Sequence, residues 1–345
     1  MYYDLPRGKI SRSLILFALP MIAGNLLQQF YNIADTLIVG RVLGSNALAA
    51  VGSSYTLMTF LTSIFLGLSM GAGALFSIYQ GRKDLSSLKL SILHAFLLIL
   101  AVTLVLNLAV YAGIEPILTF LRVPDEVRPG MRTYLLIIFA GLIATSVYNF
   151  FSCMLRALGN SSVPLIFLAV SAVLNIALDL LFVAVLPFGI AGAALATVLA
   201  QYVSAVGILL YVLLRCRMWL PSKKEWRFSH SILKEILNLS SMTCIQQSVM
   251  NFGILMVQGL VNSFGAVVMA AFAVAVKIDT IAYMPVQDFG NAFSVFVAQN
   301  FSAGKKDRIR AGMKSAGISV AVFCAVISTA VCFCKNAYAD ICKRQ

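Results

Sequence analysis

Charged side chains are scarce in this 345-residue chain: Asp, Glu, Lys and Arg together make up 11% of it. That is too few to clothe the surface of a water-soluble body of this size, which excludes a soluble globular protein. Histidine occurs only twice, at His94 and His230, far apart and outside any HExxH or nucleophile-elbow context, so hydrolase chemistry of either kind has no foothold. The seven cysteines include one close pair, Cys332 and Cys334, without the doubled spacings of a zinc site; they read as small apolar side chains. A glycine-rich phosphate loop is lacking too, so direct ATP coupling finds no support. With no catalytic constellation, neither an enzyme nor a cofactor is expected.

What is abundant is apolar sequence: 60% hydrophobic residues and a mean hydropathy of +0.92. A spanning helix needs roughly 20 apolar residues. Runs bounded by charge and turn clusters fall near 14–40, 47–79, 91–113, 133–154, 163–186, 190–214, 235–262, 267–299 and 314–334. These are unbroken runs, not the alternating ten-residue segments of a barrel. The expectation is an all-α polytopic membrane protein with nine spans, bent where Pro20 and Pro285 fall. The first run continues to Gly40 with no small-residue cleavage site, so it reads as a retained span and not a signal peptide.

The net charge of +13 would suggest nucleic acid in a soluble chain. Here it reads as the cytoplasmic excess of Lys and Arg, and the expected partner is the lipid bilayer, with no nucleic acid and no obligate protein partner. A cytoplasmic N-terminus places 18 of the 26 basic residues inside and 7 outside, with Lys277 inside a span. That orientation in a bacterial cytoplasmic membrane is the expected one.

An internal repeat is visible. LGSNALAAVG from Leu43 matches FGAVVMAAFA from Phe264 at an offset of 221, and GRKD from Gly81 matches GKKD from Gly304 at 223. Six spans per copy is an even number, so both copies keep one orientation and relate by an axis along the membrane normal, with a substrate path between the bundles. The expected division is a six-helix bundle over 1–214, a basic cytoplasmic linker over 215–234, and a second bundle over 235–345 that holds three of its six spans. A repeat of about 220 residues implies about twelve spans in a full chain, so the expectation is a natural short form or a fragment.

Several polar residues lie inside the apolar runs. Asn25, Gln28, Asn32 and Asp35 fall within an arc of about 80° on the first span. Gln247, Asn251, Gln258 and Asn262 repeat the pattern on the seventh, so the two helices are expected to wall one cleft. An ionised carboxylate in the membrane interior costs about 2.5–3.5 kcal/mol and marks a proton, cation or partner site. Asp35 of the first span, Asp179 of the fifth and Thr197 of the sixth all sit roughly 8–11 Å from their outer ends at 1.5 Å per residue, and Asn175, four residues before Asp179, shares its face. Two carboxylates, an amide oxygen and a hydroxyl at one depth suit a hard monovalent cation such as sodium, or a pair sharing one proton. Asn149 joins this set from nearer mid-membrane. Gln201, Lys277, Asp279 and Asp288 complete the expected substrate path, Lys277 having charge balance as an alternative role.

LPMIAGNLLQQFYNIADTLIVGRVLG, RALGNSSVPL, NIALD, GIAGAALATVLAQ and AQNFSAGKKDR together resemble the bacterial multidrug and toxic compound extrusion (MATE) family, over nearly the whole chain. The resemblance implies twelve spans in two six-helix bundles and export of organic cations or similar amphiphiles in exchange for protons or sodium. Asp35, Asn175, Asp179 and Thr197 match the family's coupling positions. Gln246, Gln247 and Ser248 stand where some members carry a seventh-span acid, Ser302 replaces a usual glycine, and CKNAYADICKRQ departs from the expected continuation. The alternatives are a flippase for lipid-linked oligosaccharides, which a related fold would permit, and a non-transporting remnant.

Overall fold

The computed structural model describes residues 10–121, 123–222, 225–262 and 266–342, with side chains described at all of these except 45, 46, 258, 262–282, 326–328 and 330–342. The helices are α1 (Ile10–Leu43), α2 (Ser45–Arg82), α3 (Leu85–Ala112), α4 (Ile114–Phe120), α5 (Arg128–Ile138), α6 (Leu142–Ala157), α7 (Ser162–Asp179), α8 (Gly189–Arg215), α9 (His230–Asn262), α10 (Ala266–Ser302) and α11 (Lys306–Cys342). A 3-10 turn over Phe139–Gly141 joins α5 to α6, and a π-helical turn over Leu180–Val185 extends α7. Counting α5 with α6, nine long helical rods lie among the described residues, and no strand does. Seven of them are long and apolar enough to cross a membrane: α1, α2, α3, α5 with α6, α7 with its π turn, α8 and α9. Large apolar side chains such as Leu104, Val105 and Leu108 on α3 and Val173 on α7 face outward, the arrangement lipid favours and water penalises. The protein is a polytopic α-helical membrane protein.

α2 runs through the middle and touches α1, α3, α5, α6, α9 and α10. Its buried Ser54, Ser69 and Ser77 each donate to a carbonyl one turn back, at 2.7–2.9 Å, so these three hydroxyls are paired within the helix. Against α9 it presents Gly67 and Gly71. A Cβ at Gly67 would lie 2.6 Å from the Cys244 Cα, and one at Gly71 would run into the Ser240 backbone. At this closeness Ser240 donates to the Leu68 carbonyl at 3.0 Å and Thr243 to that of Gly67 at 2.7 Å. Small residues spaced by four let two backbones approach and bond, the usual basis of helix association in lipid.

The two copies of the repeat meet the same turn chemistry at one end of the molecule. After α2, Lys83 N and Asp84 N donate to Gln80 O and Tyr79 O; after α10, Gly304 N and Lys305 N donate to Phe301 O and Asn300 O. Lys83 and Gly304 both hold the left-handed conformation, at φ 59° and 74°. Every partner is displaced by 221 positions. The offset of 223 read from GRKD and GKKD is therefore corrected: the turn is equivalent at 221, and the shared letters reflect basic turn composition and not register.

α8 ends at Arg215, and α9 starts at His230, so its first five residues fall inside the expected linker. The connection is tied to α3: Lys89 Nζ meets Glu225 at 3.1 Å, and the Ser229 N–H donates to His94 Nε2 at 3.0 Å. Backbone and side-chain hydrogen bonds from Ser222 and the Lys89 contact hold the Glu225 carboxyl down at about 2. Across the molecule, Arg128 and Arg132 both reach Glu115 at 2.8 Å and hold its carboxyl below the usual range.

Candidate functional site

The polar residues of the first bundle converge beside a place where two helices depart from α geometry. Asp179 is the last residue of α7, fully buried, and the π turn starts at the next residue; a local change of helical pitch of this kind re-aims side chains and is common at functional sites. Asn175, one turn earlier and equally buried, donates its amide to Thr197 Oγ1 of α8 at 3.3 Å. Asp35 of α1, 8% exposed, faces Asp179 closely enough for their carboxyls to interact directly. Asp179 finds no hydrogen-bond donor for either oxygen, and the Asn175 carbonyl oxygen finds none. An ionised carboxylate only accepts, so two of them face to face have nothing to exchange until a positive species arrives. The Tyr134 ring of α5 is buried within the electrostatic field of both carboxylates and of Tyr31, and Tyr31 bonds to Gln28. Sequence reasoning missed both tyrosines because an aromatic residue in an apolar run carries no signal of its own.

The 3-10 turn forms the neighbouring wall. Its tighter pitch frees carbonyls, and other helices supply donors: Asn107 Nδ2 to Phe139 O at 2.6 Å and Tyr202 Oη to Ala140 O at 2.9 Å. Gln201 lies against Gly141, where a Cβ would collide with its Oε1, and that oxygen is buried without a donor. Asn149 donates its amide to Thr145 O in its own helix at 2.8 Å, one turn back and not across to the carboxyl pair. Asn32 is half-buried on α1; its carbonyl accepts from Thr36 at 2.7 Å.

A second polar contact links the two repeats. α1 runs against α10 in opposite sense, and contacts recur every fourth residue on both: Gln29 with Met284 Sδ at 3.3 Å, then Asn25 Nδ2 donating to Asp288 Oδ1 at 2.6 Å. The same progression leads to Met21 and Ala292, then Phe17 and Phe296, within one buried cluster that also holds Leu14 and Ala18. Beyond it Gln299 Nε2 donates to Ala157 O at 2.7 Å. The repeats are thus closed together at the end of the molecule where α1 begins.

The polar faces of α1 and α9, expected to wall one cleft, each meet a different helix. α1 meets α10, whereas Gln247 of α9 points at Met70 of α2, Nε2 to Sδ 3.8 Å, and Asn251 donates to the Gln247 carbonyl at 2.8 Å. The glycines of α2 decide this, since they admit α9 more closely than any larger residue would. Lys277, Asp279, Gln258 and Asn262 lie outside the described side chains.

Comparison with known proteins places this arrangement among relatives. The MatE family model matches two stretches, 20–181 and 240–344, the second beginning within one residue of where a 221-residue register carries the start of the first. The probable multidrug resistance protein YpnP of Bacillus subtilis is 33% identical over 310 residues, covering 89% of this chain and 68% of that one. The multidrug export protein MepA of Staphylococcus aureus is 23% identical over 332 residues, covering 95% and 73%. An outward-facing multidrug resistance MATE transporter superposes with a TM-score of 0.85 at 22% identity, covering 95% of this chain and 72% of that structure. A transporter from Pyrococcus furiosus of the same superfamily gives 0.86 at 22%, with 95% and 72% covered.

Proposed function

This chain belongs to the MatE family of multidrug and toxic compound extrusion transporters, and from that premise we propose that it exports organic cations or drug-like amphiphiles in exchange for inward protons or sodium. The observation that carries the reading is the facing pair Asp35 and Asp179, both buried, with Asn175 and Thr197 alongside. A proton or a sodium ion between the carboxyls removes like-charge repulsion and supplies the partner that Asp179 lacks. Asp35 shares α1 with Asn25, ten residues and about 15 Å away along the axis, and Asn25 bonds α10. Occupation of the pair therefore acts on the helix that also fastens the two repeats together. Coupling needs an occupant that binds one state more tightly; inverting a 1:99 population takes about 5.5 kcal/mol of such difference. The relatives named for multidrug resistance and export support an amphiphilic cargo.

Asp35→Asn keeps the shape and removes the charge. In bacteria lacking their own multidrug pumps, cells expressing this variant should accumulate a fluorescent cation to the level of cells carrying an empty vector, with the protein still in the membrane fraction. Asp179→Asn should be nearly as severe. Export by Asp35→Asn at the parent rate would refute the coupling role.

A further inference from the structure

Asp288 sits in a setting that its contact with Asn25 only half satisfies. The residue is 3% exposed; Oδ1 accepts from Asn25, and Oδ2 has no donor. Among the described residues the cation whose charge acts on it is Arg156, at the last turn of α6, and the Arg156 Nε is itself buried without an acceptor. Carboxylate and guanidinium thus approach across the boundary between the repeats without completing a bonded pair. Along the same two helices stand apolar and soft groups that pack together: Met21 and Phe17, one and two turns from Asn25 on α1, and Phe289, Ala292 and Phe293, within five residues of Asp288 on α10. A buried carboxylate flanked along both helices by aromatic and thioether groups is the environment that an amphiphilic ammonium or iminium fits, with its charge on the acid and its rings on the apolar groups. A small, strongly hydrated metal ion would find too few oxygens here.

We propose that Asp288 is the docking carboxylate for the positive group of an organic cation, and that Asn25 and Arg156 stand in for that group while the repeats are closed. Asn25 and Arg156 belong to the first repeat and Asp288 to the second. Parting the helices at this end must therefore break the 2.6 Å bond and withdraw the guanidinium, leaving a carboxylate facing the new opening. The incoming cation replaces both, and its departure restores them. The proposal rests on the export reading and gives it a cargo site separate from the Asp35 and Asp179 pair.

The test is equilibrium binding to the purified chain in lipid nanodiscs, with empty nanodiscs as blank, followed by titration calorimetry with ethidium and with uncharged 6-phenylphenanthridine, which shares its ring system. No ion gradient is involved, so failure here leaves the coupling role of Asp35 untouched, and failure of that role does not move this result. Asp288→Asn should weaken ethidium about tenfold or more and shift the neutral compound less than about twofold. Arg156→Gln and Asn25→Ala remove the stand-ins and should each tighten ethidium by about threefold. Parent-like ethidium binding by Asp288→Asn, or equal loss of both compounds, overturns the proposal. If that variant is not recovered as monodisperse protein, the two donor variants decide: no gain in ethidium affinity in either overturns it.

Discussion

His94 holds its ring in one tautomer, and both nitrogens are used. Nδ1 lies 2.7 Å from the Leu90 carbonyl oxygen and so carries the proton, which leaves Nε2 to accept the Ser229 N–H. The ring also packs on Phe228, with centroids 5.5 Å apart. The residue is an anchor for the connection between the repeats, and the two tryptophans of the chain, Trp219 and Trp226, lie in that connection and report on it. His94→Ala should shift their emission to the red and expose the segment to trypsin; identical emission and cleavage would show that the anchor lies elsewhere. Glu225 gives the same segment a pH dependence of known sign. Its carboxyl is depressed to about 2 from an ordinary 4.5, so its contribution is complete above about pH 4.5 and disappears as pH falls toward 2. The emission difference between the parent and Glu225→Gln should follow that course, and a difference that instead fades between pH 7 and 5 would assign it to another group.

At the scale of elements, the most extensive helix contact in the described structure is α2 on α9, and it depends on the absence of side chains. A Leu at Gly71 would have to displace the Ser240 backbone, and overpacking of this kind costs about 1–3 kcal/mol or more. Gly71→Leu should lower the melting temperature in detergent by several degrees, whereas Gly253→Leu, where a Cβ meets nothing within 4 Å, should change it little. Equal melting of the two variants would argue against the α2 and α9 contact. The sequence carried a signal for it, the small-xxx-small run Gly67 to Gly71, which a reading based on polar stripes passes over. The polar stripe on α9 was legible as a face, but which helix it meets was not, because lipid offers apolar helices no preference among neighbours except closeness of fit.

For the whole molecule, the distribution of basic residues supports a cytoplasmic N-terminus. Cys216 is fully buried at the end of α8, so an introduced thiol is the better reporter. Met218→Cys, 61% exposed in the parent, should react with a membrane-impermeant maleimide only after the membrane is opened. Asp125→Cys, exposed in the turn between α4 and α5, should react in intact cells. Reversed labelling of this pair would invert the topology. With that orientation the closed end, sealed by the Phe17 and Phe296 cluster and by Gln299 on Ala157, is the cytoplasmic one.

Hydropathy is a property of local sequence, so the apolar runs alone determined the nine long rods and, for the seven long and apolar enough to cross it, the membrane as their solvent. Helical rise is equally local: it fixed the common depth of Asp35, Asp179 and Thr197, with Asn175 one turn from Asp179, before any neighbour was known. Lateral neighbours were decided only in three dimensions. That α1 meets α10, that Asp288 lies before Asn25 and Arg156, and that Asn149 turns back on its own helix all depend on which surfaces pack most closely. The turn register of 221 was set likewise by backbone hydrogen bonds and not by the letters GRKD and GKKD. Depth in a bilayer is counted along one chain, whereas contact is a choice among several, and only packing makes that choice.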